Sequence, residues 1–176
     1  MKKILILFVL SIAFNYNAKA QKTVDTSIIK KDTLPYLKYP TIPAFNILSV
    51  DSVTIFNTYN IPKGRPIALM FFDPDCKHCK ATMKLLRAGM DSIQNIRIYM
   101  LTPAHSWENI RKFYADNHIA DYKNIEVYGR DYEFFFFAYY GVKFVPDLAL
   151  YDENKKLIKL FETDITVKEL YELTHK

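Results

Sequence analysis

The sequence predicts an α/β sandwich built on a mixed β-sheet. Ile67-Ala68-Leu69-Met70-Phe71-Phe72 is an unbroken apolar run between turn signals, which suits a strand buried on both faces. From there to Gly141 strand-like and helix-like patterns alternate, the order of parallel strands joined by crossover helices. After Pro146 two strand patterns follow one another across a turn, which adds an antiparallel hairpin before a last helix.

Taken in order, Ile42, Phe45, Ile47 and Leu48, then Val53, Ile55 and Phe56, read as short strands. Lys63-Gly64-Arg65-Pro66 is a turn into the central run, and Asp73-Pro74-Asp75 ends that run. A helix starts near Cys76. Cys79, Met83, Leu86 and Met90 recur at helical spacing as one apolar stripe, with Gly89 near its end. Ile96 to Leu101 is the next strand, broken by Thr102-Pro103. Ser106 caps a helix that turns Ile110, Phe113 and Tyr114 inward. Ile125 to Tyr128 is a short strand. Asp131 caps a short helix through Tyr140, and Gly141 stops it. Asp147 to Tyr151 and Leu157 to Phe161 form a hairpin around Asp152-Glu153-Asn154. The last helix has the fullest local signature. Thr166 caps it, Glu169 completes a capping box, and Ile165 with Leu170 forms a hydrophobic staple.

The length of 176 residues suits one domain plus a tail. Half of the residues are apolar and about a quarter charged, which excludes bulk disorder and collagen-like or coiled-coil classes. Residues 1–20 read as a secretory signal. Lys2 and Lys3 precede an apolar stretch from Ile4 to Phe14, and Ala18-Lys19-Ala20 sets small residues at the cleavage positions. The apolar stretch is too short for a membrane span, and Gln21 rather than Cys follows the expected cut, so a soluble, exported product is expected, in a bacterial periplasm. The segment carries three of the 24 basic residues and no acid, which leaves 21 basic to 19 acidic residues in the mature chain. The basic balance is therefore largely an export feature and gives no argument for nucleic acid. Residues 21–40, with Lys30-Lys31-Asp32, Pro35 and Pro40, read as a linker or extended arm, and 41–176 as the folded domain.

The chemistry sits at Cys76-Lys77-His78-Cys79. Two cysteines three apart at a helix start bring their sulfurs onto one face. At the first turn, unpaired backbone N–H groups and the helix dipole favour a Cys76 thiolate. Lys77 and protonated His78 add positive charge, while Asp73 and Asp75 oppose it. Cys79, one turn in and on the apolar stripe, is expected to be buried and less reactive. The implied chemistry is attack by Cys76 on a disulfide, a mixed disulfide, and resolution by Cys79, giving a Cys76–Cys79 disulfide. Zinc wants four ligands, and the chain has no second cysteine pair. Covalent haem attachment wants His directly after the second cysteine, where Lys80 stands. No cofactor is expected.

From about Thr41 to Leu173 the chain resembles the thioredoxin-fold redox domains, most of all the exported TlpA/ResA-like branch. The residues that carry the resemblance are Ile67 to Phe72, the Cys76-Lys77-His78-Cys79 motif, Gly141-Val142-Lys143-Phe144-Val145-Pro146, and the terminal hairpin and helix. Pro43-x-Phe45 and the Lys63 to Pro66 turn also suit that branch. The resemblance implies a thioredoxin-like fold and a thiol–disulfide oxidoreductase that exchanges disulfides with protein substrates and a redox partner. It also implies a cis Val145–Pro146 peptide facing the cysteine pair, where the Val145 backbone can pair with a substrate peptide. Three departures stand out. Pro74 replaces a frequent Trp two residues before the first cysteine, and Met70 replaces a buried acid six residues before it. His78 is similar to the residue of oxidant and isomerase members, and a positive imidazole there raises the potential. Reductase, oxidase and isomerase directions all stay open, as do clients and oligomeric state.

Two other readings compete. A thioredoxin-fold binding module could hold a client, or Cu(I) through the two cysteines with His78 or His105. A peroxiredoxin-like peroxidase wants Thr three residues before the reactive cysteine, where Asp73 stands. The run Phe134-Phe135-Phe136-Phe137-Ala138-Tyr139-Tyr140 cannot all face a core; it reads as a sheet-packed helix with one or two rings exposed, or as a rim for an unfolded client. Trp107 is expected to pack near the start of the second helix, and His118 and His175 to lie at the surface; for His105, at a strand end, lining the site is the lesser of the open readings.

Overall fold

A computed structural model of the chain describes residues 34–103 and 105–175. The expected signal segment, Lys30-Lys31 and the front of the arm lie outside those residues. The element order is α1 (Pro35–Lys38), β1 (Asn46–Ser49), β2 (Ile55–Asn57), β3 (Ile67–Phe71), α2 (Lys77–Ala88), β4 (Arg97–Thr102), α3 (Trp107–Asp116), β5 (Ile125–Arg130), α4 (Phe135–Tyr140), β6 (Asp147–Tyr151), β7 (Leu157–Glu162) and α5 (Val167–Thr174). The strands form one seven-stranded sheet in the order β2-β1-β5-β4-β3-β6-β7. β3, β4 and β5 run parallel, and β6, β7, β1 and β2 each meet their neighbours antiparallel. The predicted mixed sheet flanked by helices is thus the architecture observed.

β3 lies between β4 and β6, and all five of its residues are buried. Its side chains alternate between two cores. Ala68, Met70 and the following Phe72 face α2, α3 and α5, with Met83, Leu86, Ile110, Phe113 and Leu170. Ile67, Leu69 and Phe71 face α1 and α4, with Tyr36, Phe136 and Tyr140. Each fully buried large apolar side chain contributes about 1.5–3 kcal/mol. The stripe Cys79, Met83, Leu86 and Met90 is buried as its spacing predicts. Among the described residues no helix is long and apolar enough to cross a membrane.

Several local expectations need correction. The end of the arm is not extended: Pro35–Lys38 is a helical turn that buries Tyr36 against Tyr140, ring centroids 5.8 Å apart. Val53 lies in the β1–β2 turn and is exposed. The aromatic helix starts later than Asp131. Asp131 still caps it from outside, its carboxylate accepting the Phe135 and Phe136 N–H groups at 3.0 and 2.7 Å. Thr166 caps α5 as expected, but Glu169 reaches Lys159 on β7 instead of closing the capping box. Gly141 stops α4 with φ 69°, where only glycine is unstrained, and a side chain there would collide with Leu34. Gly129 has a different necessity: a Cβ would stand 2.2 Å from the Leu48 carbonyl, so β1 pairs with β5 only because that position is bare.

Asp147, the first residue of β6, is buried beside Glu162, and its Oδ1 has no hydrogen-bond partner. Burial first, and the Glu162 charge second, push its carboxyl up to about 7. The folded state therefore holds a proton that the unfolded chain gives up near pH ~4. Stability tied to this proton is fully present below about pH 4 and is lost as pH rises through about 7. Asp147→Asn should flatten the decline in unfolding free energy over that window. At pH 8 it should stabilise the fold by roughly 1–4 kcal/mol. Parallel denaturant-derived stability profiles for the two proteins would contradict this.

Candidate active site

The end of β3 delivers the chain to the site. Phe72 N–H still bonds to the Leu101 carbonyl at 3.0 Å, so the strand's direction is held one residue past β3. Asp73 then turns the backbone, its Oδ1 accepting the Asp75 N–H at 2.7 Å. Pro74 is buried in that turn. Cys76 follows as the N-cap of α2, a position usually held by an oxygen-bearing side chain. Its sulfur takes that role and accepts the Cys79 N–H at 3.5 Å.

The two cysteines are free thiols with unequal surroundings. Cys76 is half-buried and Cys79 is fully buried. Burial is the main cause that pushes the Cys79 thiol up to about 12, with Cys76 and the Asp73 charge acting in the same direction. Asp73 N–H partly offsets this by donating to Cys79 Sγ at 3.4 Å. Across the site the Val145–Pro146 peptide is cis. Its Val145 carbonyl accepts from the Cys76 thiol over 3.9 Å. Lys77 and His78 are exposed, and His78 Nε2 stands 3.4 Å from the Thr163 carbonyl in the β7–α5 turn. The six residues Cys76, Lys77, His78, Cys79, Val145 and Pro146 thus meet at one end of the sheet.

The sequence offers the aromatic run beside them as a rim for a client, but not the cleft that the run lines. A cleft of about 860 Å³ opens beside His78 and Val145, lined also by Phe134, Phe137, Phe144 and Thr163. The rings of Phe134, Phe137 and Phe144 are 48%, 51% and 67% exposed, far more than Phe136, which is fully buried. Phe134 adopts a left-handed backbone, φ 53°, which costs a bulky residue of order 1–3 kcal/mol. That conformation turns the chain into α4 and sets Phe134 on the cleft wall. The signal was present as a seven-residue aromatic run too long for one helix face.

His105 does not face the cysteine sulfurs directly. Its Nε2 is 3.2 Å from Asp73 Oδ2 and its Nδ1 3.7 Å from Asp75 Oδ2. Asp73, Asp75 and His105 bring one ligand atom each within 4.8 Å of one another, the only such trio among the described residues. Two hard carboxylates with one imidazole are not a Cu(I) donor set, which wants soft sulfur. Trp107 is stacked by Arg130, whose guanidinium lies 4.3 Å from the ring centre, at the start of α3 as expected. His118 and His175 are at the surface.

Known structures share this geometry's scaffold. A secreted disulfide oxidoreductase of Mycobacterium tuberculosis, homologous to E. coli DsbE, matches with a TM-score of 0.58 at 16% identity, over 74% of this chain and 94% of that one. StoA from Bacillus subtilis matches with 0.58 at 18% identity, over 77% and 99%. A domain of a possible thiol-disulfide isomerase from Cytophaga hutchinsonii matches with 0.55 at 22%, over 71% and 81%. At these identities the likeness is one of fold. No curated protein sequence matches the chain. The family profile of the thioredoxin-like domain matches residues 59–175, from the turn before β3 through α5. The chain belongs to the thioredoxin-like domain family.

Proposed function

We propose that this protein is an exported thiol–disulfide oxidoreductase of the TlpA/ResA-like branch, with Cys76 as nucleophile and Cys79 as resolving thiol. One observation carries the reading. A half-buried sulfur at a helix N-cap lies 3.9 Å from the carbonyl before a cis proline, with a second, fully buried sulfur one turn behind it. That asymmetry divides the labour of disulfide exchange. Cys76 meets a substrate disulfide at the surface and forms the mixed disulfide. Cys79, screened from solvent, stays protonated and inert until Cys76 is bonded to substrate. It then displaces the substrate sulfur. The Val145 backbone, whose carbonyl faces the Cys76 thiol, supports pairing with an extended substrate segment.

The cleft extends the reading from small disulfides to protein clients. Three exposed rings in the cleft beside His78 and Val145 offer an apolar seat for a side chain near the client cysteine. His78 and Lys143 border the same cleft and supply polar edges that orient the segment.

Cys76→Ser should abolish disulfide exchange in an insulin-reduction or glutathione-disulfide assay, whereas Cys79→Ser should accumulate a covalent adduct with substrate, detected by mass. Wild-type rates in Cys76→Ser would overturn the mechanism. The cleft is tested separately with the double variant Phe137→Ser, Phe144→Ser. Losing one well-seated apolar contact, worth about 1.4 kcal/mol, raises KM roughly tenfold for a peptide disulfide with an aromatic residue beside its cysteine. Rates with glutathione disulfide should barely move. Equal losses on both substrates would exclude the cleft as a client seat.

A further inference from the structure

The cleft beside Val145 leaves apolar surface uncovered. Phe137 and Phe144 are 51% and 67% exposed, and both line the cleft of about 860 Å³. That volume suits a small ligand or a few side chains. Exposed rings grouped in this way mark an interaction site. The structure also shows which part of the chain starts beside it. Leu34, the first described residue, packs on Gly141, where a Cβ would stand 2.7 Å from its Cδ2. Val142, the next residue, lines the cleft. The chain before Leu34 therefore sets out from the cleft's edge.

What precedes Leu34 suits that surface. Residues 21–33 hold three apolar side chains, Val24, Ile28 and Ile29, and the last two are adjacent. Ile29 lies five residues before Leu34, and an extended chain covers about 3.3–3.6 Å per residue. Its reach is up to about 17 Å, longer than the edge of a cube of the cleft's volume. The charges are complementary as well. Lys143, two residues past Gly141, is exposed, and Asp32 lies two residues before Leu34. Thr163 lines the cleft between the exposed carboxylates of Glu162 and Asp164, and Lys30-Lys31 directly follows Ile29. Exposed pairs of this kind add little strength but help to fix register.

We propose that residues 24–32 of the chain itself occupy the cleft when no client is bound. The inference rests on the client-seat reading of the cleft and adds its regulation. Ile28 and Ile29 seat on Phe137 and Phe144, Asp32 faces Lys143, and Lys30-Lys31 faces the turn that carries Glu162 and Asp164. A tethered segment acts at a millimolar effective concentration, so a weak contact is enough to fill the seat. A client has to displace it, and the client's apparent affinity falls with the fraction of molecules whose seat is open. A segment that fills the cleft about nine times in ten weakens client binding about tenfold. Glutathione disulfide needs no aromatic seat and is not screened.

The test places a photo-reactive side chain in the cleft as Phe144→p-benzoylphenylalanine, in a protein that begins at Gln21. The irradiated protein is digested and its crosslinks are mapped by mass. Mixing with a heavy-isotope-labelled copy separates crosslinks within a chain from those between chains. Crosslinks within one chain to residues 24–32 are expected. Crosslinks between chains make the occupant a second copy, and no crosslink to 24–32 leaves the cleft to clients alone; either result overturns the proposal. A kinetic test uses the double variant Ile28→Ser, Ile29→Ser. Its KM for the aromatic peptide disulfide should fall about threefold or more, with kcat and the glutathione disulfide rate unchanged. A synthetic peptide of residues 22–33, added to that variant at millimolar concentration, should restore the wild-type KM. The fall should vanish when Phe137→Ser and Phe144→Ser are also present. An equal fall without the rings, or no fall with them, overturns the docking. Photo-crosslinking needs no redox activity, so the two readings fail separately. A protein that crosslinks as expected but never exchanges a disulfide defeats the oxidoreductase reading alone, whereas normal exchange without the crosslink defeats the docking alone.

Discussion

Burial of β3 on both faces is the constraint on which everything else depends. A strand with apolar side chains on alternating sides needs a core above and below it, and each core needs its own helices. α2, α3 and α5 cover Met70 and Phe72, while α1 and α4 cover Leu69 and Phe71. β6 lies on one edge of β3 and β4 on the other. The strand ends at a turn whose Asp73 carboxylate closes onto the Asp75 amide, and α2 leaves from there with a cysteine as its cap. Because β6 pairs with β3 in register, with Phe71 opposite Asp147, the residue before β6 is brought level with that turn. The meeting of Cys76 with the Val145 carbonyl is therefore a consequence of sheet register, not of a local loop contact.

The same geometry makes the two sulfurs unlike. α2 points its apolar stripe into the sheet, and Cys79 is the first member of that stripe. Cys76, three residues earlier, stands at the edge where the helix begins. A surface-facing and a buried thiol follow from one amphipathic pattern. The burial that keeps Cys79 from side reactions also opposes its ionisation. The chain's own polar groups at that end, Asp73 and His105, come from two different strand ends brought together by the parallel pairing of β3 with β4.

The fold was legible in the sequence where local pattern and burial coincide. The unbroken run Ile67–Phe72, the stripe from Cys79 to Met90, and the Thr166 cap are each set by residues within one element. The cysteine spacing and Val145-Pro146 were equally readable. What could not be read depends on pairings distant in sequence. Tyr36 looks like part of a polar arm until α4 is placed beside it. Glu169 closes a capping box on paper, yet Lys159 on β7 offers an oppositely charged partner instead. Asp147 looks like an ordinary strand-opening residue, and only the sheet position shows it buried with an unpaired oxygen. The aromatic run announced an excess of rings. Which of them stay outside depended on the left-handed turn at Phe134, a backbone conformation that no bulky residue advertises.

The central claim is that Cys76 and Cys79 form one redox couple, and equilibration of the protein with glutathione buffers of graded ratio measures it directly. The prediction is a reversible two-electron transition between roughly −270 and −120 mV, absent from variants lacking either cysteine. A thiol pair that shows no reversible transition across the glutathione range would contradict the claim and leave the cysteines as structural residues of a binding domain.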